Sequence, residues 1–123
     1  MTLASIAVGG ALGSVLRYLI QVQCAHWWGS KFPLGTLLVN VTGSLLIGVL
    51  SIVLLERWIV VEEIRLALLV GLLGGFTTFS AFSLETLHLL QQGSMAGAAA
   101  NVVLSIVLCL GACYLGMTLA RAF

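Results

Sequence analysis

The chain has 123 residues, of which 61% are hydrophobic and only 7% are charged, and its net charge is +1. A soluble domain draws roughly a quarter of its residues from the charged types, so this composition excludes a water-facing surface. The small net charge also gives no reason to expect a nucleic-acid partner.

Four apolar stretches are long enough to cross a bilayer, which takes about 20 helical residues. We expect transmembrane helices over residues 2–22, 34–55, 64–91 and 95–121. No basic residue precedes the first stretch and further apolar stretches follow it, so we expect a membrane span there and not a cleaved signal peptide. The predicted fold is an all-α membrane protein with a single four-helix transmembrane domain, residues 1–123, surrounded by membrane lipid.

The predicted loops are short, and the first two contain the tryptophans. We expect His26, Trp27 and Trp28 in the first loop, because tryptophan favours the headgroup layer of a membrane. The second loop collects most of the charges, and the third is little more than a turn at residues 92–94.

Cys109 and Cys113 are one helical turn apart and could hold a soft metal, but packing is their simpler role.

The basic residues scarcely fix the direction of insertion. Arg57, Arg65 and Arg121 fall on one predicted side, and Lys31 and Arg17 fall on the other. Membrane proteins keep their basic loops on the cytoplasmic side, so a near-even division of basic residues gives little preference for either orientation in the membrane. Insertion in both directions, with an antiparallel dimer, is therefore a natural arrangement, although a low charge count alone can produce the same balance.

Polar residues recur every four positions on the second and fourth predicted helices. The two sets are Thr36, Asn40 and Ser44, and Asn101, Ser105 and Cys109. Residues at this spacing share one helical face, and an asparagine that faced lipid would be costly, so both faces should point into the protein. Hydrogen bonds between helices would explain each residue singly, whereas the two sets together suggest a polar pathway.

The third stretch contains the sequence Gly-Gly-Phe-Thr-Thr-Phe-Ser at residues 74–80. Adjacent glycines followed by two β-branched threonines favour an interruption of the helix near mid-membrane. Unpaired backbone is tolerated at that depth only inside protein or beside water, and the helix ends that it creates can hold ions. The alternative is an unbroken helix whose hydroxyls bond to its own carbonyls.

The polar groups inside the spans are almost all neutral. Arg17 and Glu85 are the only charged side chains there, apart from the span ends and His88. A cation route usually shows acidic rings, and a proton-coupled transporter needs a titratable group in mid-membrane. Amides and hydroxyls are neutral donors that suit a small anion. Phe79 and Phe82 could add electropositive ring edges, although core packing is their ordinary role.

Residues 74–85, Gly-Gly-Phe-Thr-Thr-Phe-Ser-Ala-Phe-Ser-Leu-Glu, resemble the signature of the Fluc (CrcB) fluoride channels. Residues 9–13 with Arg17, and residues 33–37 leading to Asn40, are similar to the first two helices of that family. The resemblance covers the whole chain in length, span count and motif order. Two positions depart from the family pattern, namely Ala81, where many members carry threonine, and Asn101, where some carry tyrosine.

The resemblance implies passive fluoride export across the cell (cytoplasmic) membrane by an antiparallel, dual-topology homodimer with two pores along the subunit interface. It also implies a sodium ion at the dimer centre, bound by the backbone carbonyls of Gly74 and Thr77. The implied pore residues are Asn40, Phe79, Phe82, Ser80, Ser105, Thr36, Glu85 and Asn101. Arg17 matches a structural arginine of the first helix.

Two other functions compete with a fluoride channel. A small multidrug exporter has the same size and span count, but it exchanges protons for cationic drugs through a carboxylate in its first span, and residues 2–30 contain no acidic residue. A non-transporting assembly subunit, whose polar residues only join helices, would show no ion flux. An enzyme is not expected, because no nucleophile, base and orienting group fall at a recognisable spacing.

Overall fold

A computed structural model describes all 123 residues, and every regular element in it is helical. The helices are α1 Thr2–Trp28, α2 Leu34–Ile52, α3 Glu62–Leu66, α4 Leu73–Phe76, α5 Phe79–Gln91 and α6 Met95–Ala122. Two π-helical segments, Val53–Arg57 and Ala67–Leu72, extend α2 and join α3 to α4. Four stretches are long and apolar enough to cross a membrane, and we call them spans 1 to 4: Thr2–Trp28, Leu34–Arg57, Glu62–Gln91 and Met95–Ala122. The predicted all-helical fold with four spans is confirmed.

Span 1 is longer than predicted, and this corrects the position of three aromatic residues. The helix was expected to end at residue 22, but it ends at Trp28, so His26 and Trp27 lie in its last turn and not in a loop. Residues 23–28 contain no glycine or proline that would stop a helix. Gly29 ends it with a φ of 78°, a value that glycine adopts without strain.

The charged loop between spans 2 and 3 is also shorter than predicted. Glu56 and Arg57 belong to the π-helical end of span 2, while Glu62 and Glu63 form the first turn of α3. Acidic residues in a first turn are stabilised by the free N–H groups of the helix start. Only residues 58–61 remain as an irregular connection.

Spans 2 and 4 form the closest helix pair. A Cβ atom at Gly48 would collide with the Cys113 carbonyl, and one at Gly116 would collide with the Leu45 carbonyl, so glycine allows the two backbones to touch. Beyond this contact, span 1 packs on α4 and the π-helical segment before it, and α5 packs on α6. The interruption described below follows α4, which also contacts span 2.

The ends of spans 2 and 4 meet on the same side of the bundle. Arg121 pairs with Glu56 at 3.2 Å, and Arg57 Nη2 donates to the Arg121 carbonyl at 2.8 Å. The outer faces of spans 1 and 4 expose large apolar side chains such as Leu12 and Leu110. A surface of this kind is stable in lipid and not in water, which makes the chain a multi-pass membrane protein.

Candidate functional site

The regular helix of span 3 stops at Phe76 and restarts at Phe79. Between them the backbone is extended, with φ −82° and ψ 155° at Thr77, and φ −151° and ψ 112° at Thr78. The Thr78 hydroxyl accepts a hydrogen bond from the Ala81 N–H at 3.1 Å, so Thr78 is the N-cap of α5. Two β-branched residues favour this extended conformation.

Asn40 of span 2 pairs with the backbone of the extended segment. Its Oδ1 accepts from the Thr78 N–H at 2.7 Å, and its Nδ2 donates to the Thr78 carbonyl at 3.0 Å. Thr78 is only 8% exposed, and buried backbone groups need partners. The side-chain amide supplies both of them and keeps one further N–H that a ligand could use.

The interruption removes the usual hydrogen-bond donors of two carbonyls. In a continuous helix, the Thr78 N–H would bond the Gly74 carbonyl and the Ala81 N–H would bond the Thr77 carbonyl. Here the first donor goes to Asn40 and the second to the Thr78 hydroxyl. The Thr77 carbonyl accepts no other backbone hydrogen bond. Carbonyl oxygens of an unwound helix are suitable ligands for a sodium ion.

Arg17 of span 1 contacts α4 just before the interruption. Its Nε donates to the Gly75 carbonyl at 3.0 Å. The last carbonyls of a helix lack helical donors, and a positive charge is favourable near them. Arg17 therefore binds the end of α4, a partner that the sequence did not identify.

Gly43 makes room for the extended segment against span 2. A Cβ atom at this position would collide with Cγ2 of Thr77 and lie 3.3 Å from Cδ1 of Phe76. Gly43 follows Asn40 by almost one helical turn, so the same face of span 2 provides both the hydrogen bonds and the space.

A cleft of about 480 Å³ lies beside the interruption. Its polar lining consists of Asn40, Ser44, Thr77, Thr78 and Ser105, and Phe79 and Phe82 line it as well. The rings of the two phenylalanines have centroids 5.2 Å apart and planes tilted by 50°. Gly74 is a further lining residue, and no lining residue is charged. The structure thus brings together six of the residues predicted for the site.

The cleft opens on the outer surface of the bundle. Phe79 is 78% exposed, and Ser80 and Gly74 are exposed beside it. A Cβ atom at Gly74 would meet no other atom within 4 Å. This side of the cleft is therefore left uncovered by the chain itself.

A second cavity of about 280 Å³ lies at the end of the bundle, between the first loop and the end of span 3, and we call it the mouth. Its lining includes Gln21, Lys31, Thr36, Glu85, His88 and Gln92. Thr36 Oγ1 donates to Glu85 Oε1 at 2.8 Å, and Gln21 Nε2 donates to Thr36 Oγ1 at 2.8 Å. Two further predicted site residues, Thr36 and Glu85, are thus adjacent here and not in the cleft.

The last two predicted pore residues line neither cavity. Asn101 is 1% exposed, and its Nδ2 donates to the Thr86 hydroxyl at 2.9 Å, which joins span 4 to α5. The Ser80 hydroxyl lies 3.3 Å from the Thr78 hydroxyl on the exposed side. The structure places Asn101 beside Thr86. A contact between Asn101 and an anion stays a prediction.

A family model described as "CrcB-like protein, Camphor Resistance (CrcB)" matches residues 4–117. The chain belongs to the CrcB family. A CrcB relative from Nitrobacter winogradskyi, named fluoride-specific ion channel FluC, is 50% identical over 117 residues, which cover 95% of this chain and 93% of the relative. Relatives with the same name come from Magnetococcus marinus (46% identity over 121 residues, 98% of each chain) and Methylococcus capsulatus (50% over 121 residues, 98% of this chain but 53% of the longer relative).

CrcB membership confirms the family that the motifs in spans 1 to 3 indicated, and it places the chain among ion channels and not among enzymes. Sequence reasoning missed Gln21 and the capping role of Thr78. Gln21 follows Arg17 by four residues, so the two share a helical face, and this spacing could have identified it. The cap could have been inferred from the position of Thr78 just before the helix restarts.

Proposed function

We propose that the chain is a fluoride-selective channel that lets fluoride leave the cell passively across the cytoplasmic membrane and so prevents its accumulation. The observation that supports this most directly is the uncharged cleft at the interruption of span 3, in a chain 50% identical to a protein named a fluoride-specific ion channel. A dehydrated anion needs donors in place of its water. Neutral donors supply them without holding the ion as firmly as a fixed cation would.

The proposed path joins the mouth to the cleft along two helix faces. Thr36 precedes Asn40 by four residues on span 2, and Phe82 precedes Glu85 by three on α5, so each mouth residue lies about one turn from a cleft residue. Ser105 lines the cleft from span 4. Fluoride would pass from the mouth, beside Thr36, to the amide N–H of Asn40 and the hydroxyl of Ser105.

Phe79 and Phe82 are proposed to stabilise the ion with their ring edges. The edge of a phenyl ring is electropositive and its face is electronegative. The tilt of 50° between the two rings lets their edges point in different directions. An anion in the cleft could then be met by ring hydrogens in addition to hydroxyls and amides.

The open side of the cleft supports a homodimer. Phe79 is 78% exposed on a face that also exposes Gly74, and a second copy placed there would close the cleft and exclude lipid. The near-even division of basic residues between the two sides is compatible with subunits inserted in opposite directions. We therefore propose an antiparallel, dual-topology homodimer with two pores along its interface.

Sodium is proposed to bind where the interruptions of the two subunits meet near mid-membrane. The carbonyls of Gly74 and Thr77 fit such a site, because the interruption diverts the helical donors of both. Each subunit would contribute these two oxygens, and a hard cation prefers oxygen ligands. The ion would supply positive charge that holds the two extended segments together.

The test is fluoride efflux from liposomes that contain the purified protein, compared with chloride efflux from the same vesicles. Rapid fluoride release with little chloride release is expected. The absence of fluoride release would reject the channel and favour the assembly subunit. The multidrug exporter is not favoured, because span 1 contains no acidic residue.

A further inference from the structure

Three side chains from three spans form one chain of hydrogen bonds at the mouth. Gln21 Nε2 donates to Thr36 Oγ1 at 2.8 Å, and Thr36 Oγ1 donates to Glu85 Oε1 at the same distance. Thr36 is 4% exposed, so water has little access to its hydroxyl. The second carboxyl oxygen of Glu85, Oε2, is buried and has no hydrogen-bond partner.

Gln21 and Glu85 are the two hydrogen-bond partners of the Thr36 hydroxyl. A threonine hydroxyl has one proton and can donate to one partner at a time. Other threonines in this structure give that proton to their own helix, as Thr42 does to the Leu38 carbonyl and Thr86 to the Phe82 carbonyl, both at 2.7 Å. Thr36 is the third residue of α2, so the residue four positions before it, Phe32, lies outside the helix. The Thr36 oxygen accepts from Gln21 and its proton goes to Glu85.

We propose that Gln21 is a positioning residue for the fluoride path: through Thr36 it holds the Glu85 carboxylate against span 2. The inference rests on the proposed function and deepens it. Glu85 is the only acidic residue that lines the mouth. A carboxylate that is free to turn into this cavity would repel an approaching anion, whereas one bonded to Thr36 stays at the wall.

The first test replaces Gln21 with methionine, which keeps the length of the side chain and removes its amide. Gln23 offers the matched control, since it lies on the same helix and is exposed. Loss of one hydrogen bond changes an equilibrium by roughly three- to tenfold, so Gln21→Met should slow fluoride efflux by about that factor. Gln23→Met should leave efflux unchanged.

A second test separates positioning from packing. In a Thr36→Val background there is no hydroxyl to orient, so Gln21→Met should have no further effect. In a Thr36→Ser background the hydroxyl remains, and the full effect should persist. A residue that only fills space would give the same factor in all three backgrounds, and that result would overturn the proposal.

The outcomes distinguish this inference from the proposed function. If the unaltered protein releases no fluoride, the channel function itself fails. If the unaltered protein and Gln21→Met release fluoride equally fast, only the role of Gln21 fails. Gln21→Leu serves as the apolar variant if Gln21→Met does not fold, and the melting temperature of each variant verifies the fold before reconstitution.

Discussion

The side chain of Asn40 and the backbone of Thr78 are joined by two hydrogen bonds, of 2.7 and 3.0 Å, that cross from span 2 to span 3. A single asparagine thus replaces the helical partners that the extended residue gives up. Unpaired backbone would be costly at this buried position. The pair explains how span 3 can stop and restart without leaving Thr78 unsatisfied.

Replacing Asn40 with leucine should destabilise the protein and abolish efflux. The substitution keeps the branched shape of the side chain but leaves the N–H and the carbonyl of Thr78 unpaired, at a cost of about 1–3 kcal/mol for each buried group. A lower melting temperature in detergent and a loss of fluoride efflux are expected. Asn101→Leu breaks only the bond to the Thr86 hydroxyl, so a larger melting-temperature loss from that variant would contradict this account.

Replacing Phe79 or Phe82 with isoleucine should slow fluoride efflux, because isoleucine fills space without an electropositive edge. We expect a loss of roughly two- to tenfold for each single variant, because each removes one ring contact worth about 0.5–1.5 kcal/mol. Phe123→Ile is the control, since Phe123 is 94% exposed at the end of span 4. Undiminished efflux in both cleft variants would rule out the ring-edge role.

Composition and periodicity were sufficient to predict the all-helical fold and its four spans. The end of span 1 was wrong, because residues 23–28 are compatible both with a loop at the membrane surface and with a longer helix. Tryptophan preference pointed to a loop, while the first residue that stops the helix is Gly29. The position of this glycine determines where the helix ends, and the tryptophans can still reach the headgroup layer from the last turn.

Several residues that line the cleft could be predicted from the sequence, but their hydrogen bonds could not. The motif of span 3 and the spacing on span 2 identified Asn40 and Thr77 as site residues. No sequence rule states that the amide of Asn40 forms both of its hydrogen bonds with one backbone residue. Nor does one state that Gln21 of span 1 bonds Thr36 of span 2. These contacts depend on how the helices rotate against one another, which a single sequence does not specify.

Removing sodium should impair the channel. The carbonyls of Gly74 and Thr77 have lost their helical donors, and a cation would compensate for their negative partial charge. We expect fluoride efflux to fall when sodium is replaced by potassium on both sides of the vesicle, and to recover when sodium is restored. Equal efflux in the two salts would argue against a sodium ion at these oxygens.

Replacing Gly43 with alanine should disturb the interruption, and a second substitution should repair it. The added methyl group would collide with Cγ2 of Thr77, so the extended segment must move away from Asn40 or lose its hydrogen bonds. Forcing an extra methyl group into a packed site costs about 1–3 kcal/mol. We expect a lower melting temperature and slower efflux for Gly43→Ala.

The repair uses Thr77→Ser, which removes the colliding methyl group and keeps the hydroxyl that donates to the Leu73 carbonyl at 2.9 Å. The double variant should regain most of the melting temperature and efflux that Gly43→Ala loses. Thr77→Ser alone should have a smaller effect, because it leaves that hydrogen bond in place. If the double variant is as impaired as Gly43→Ala, a contact other than that with Thr77 causes the loss. Phe76 is one such contact, since its Cδ1 would lie 3.3 Å from the new Cβ atom. Recovery would instead show that this one contact limits how closely span 2 approaches the extended segment.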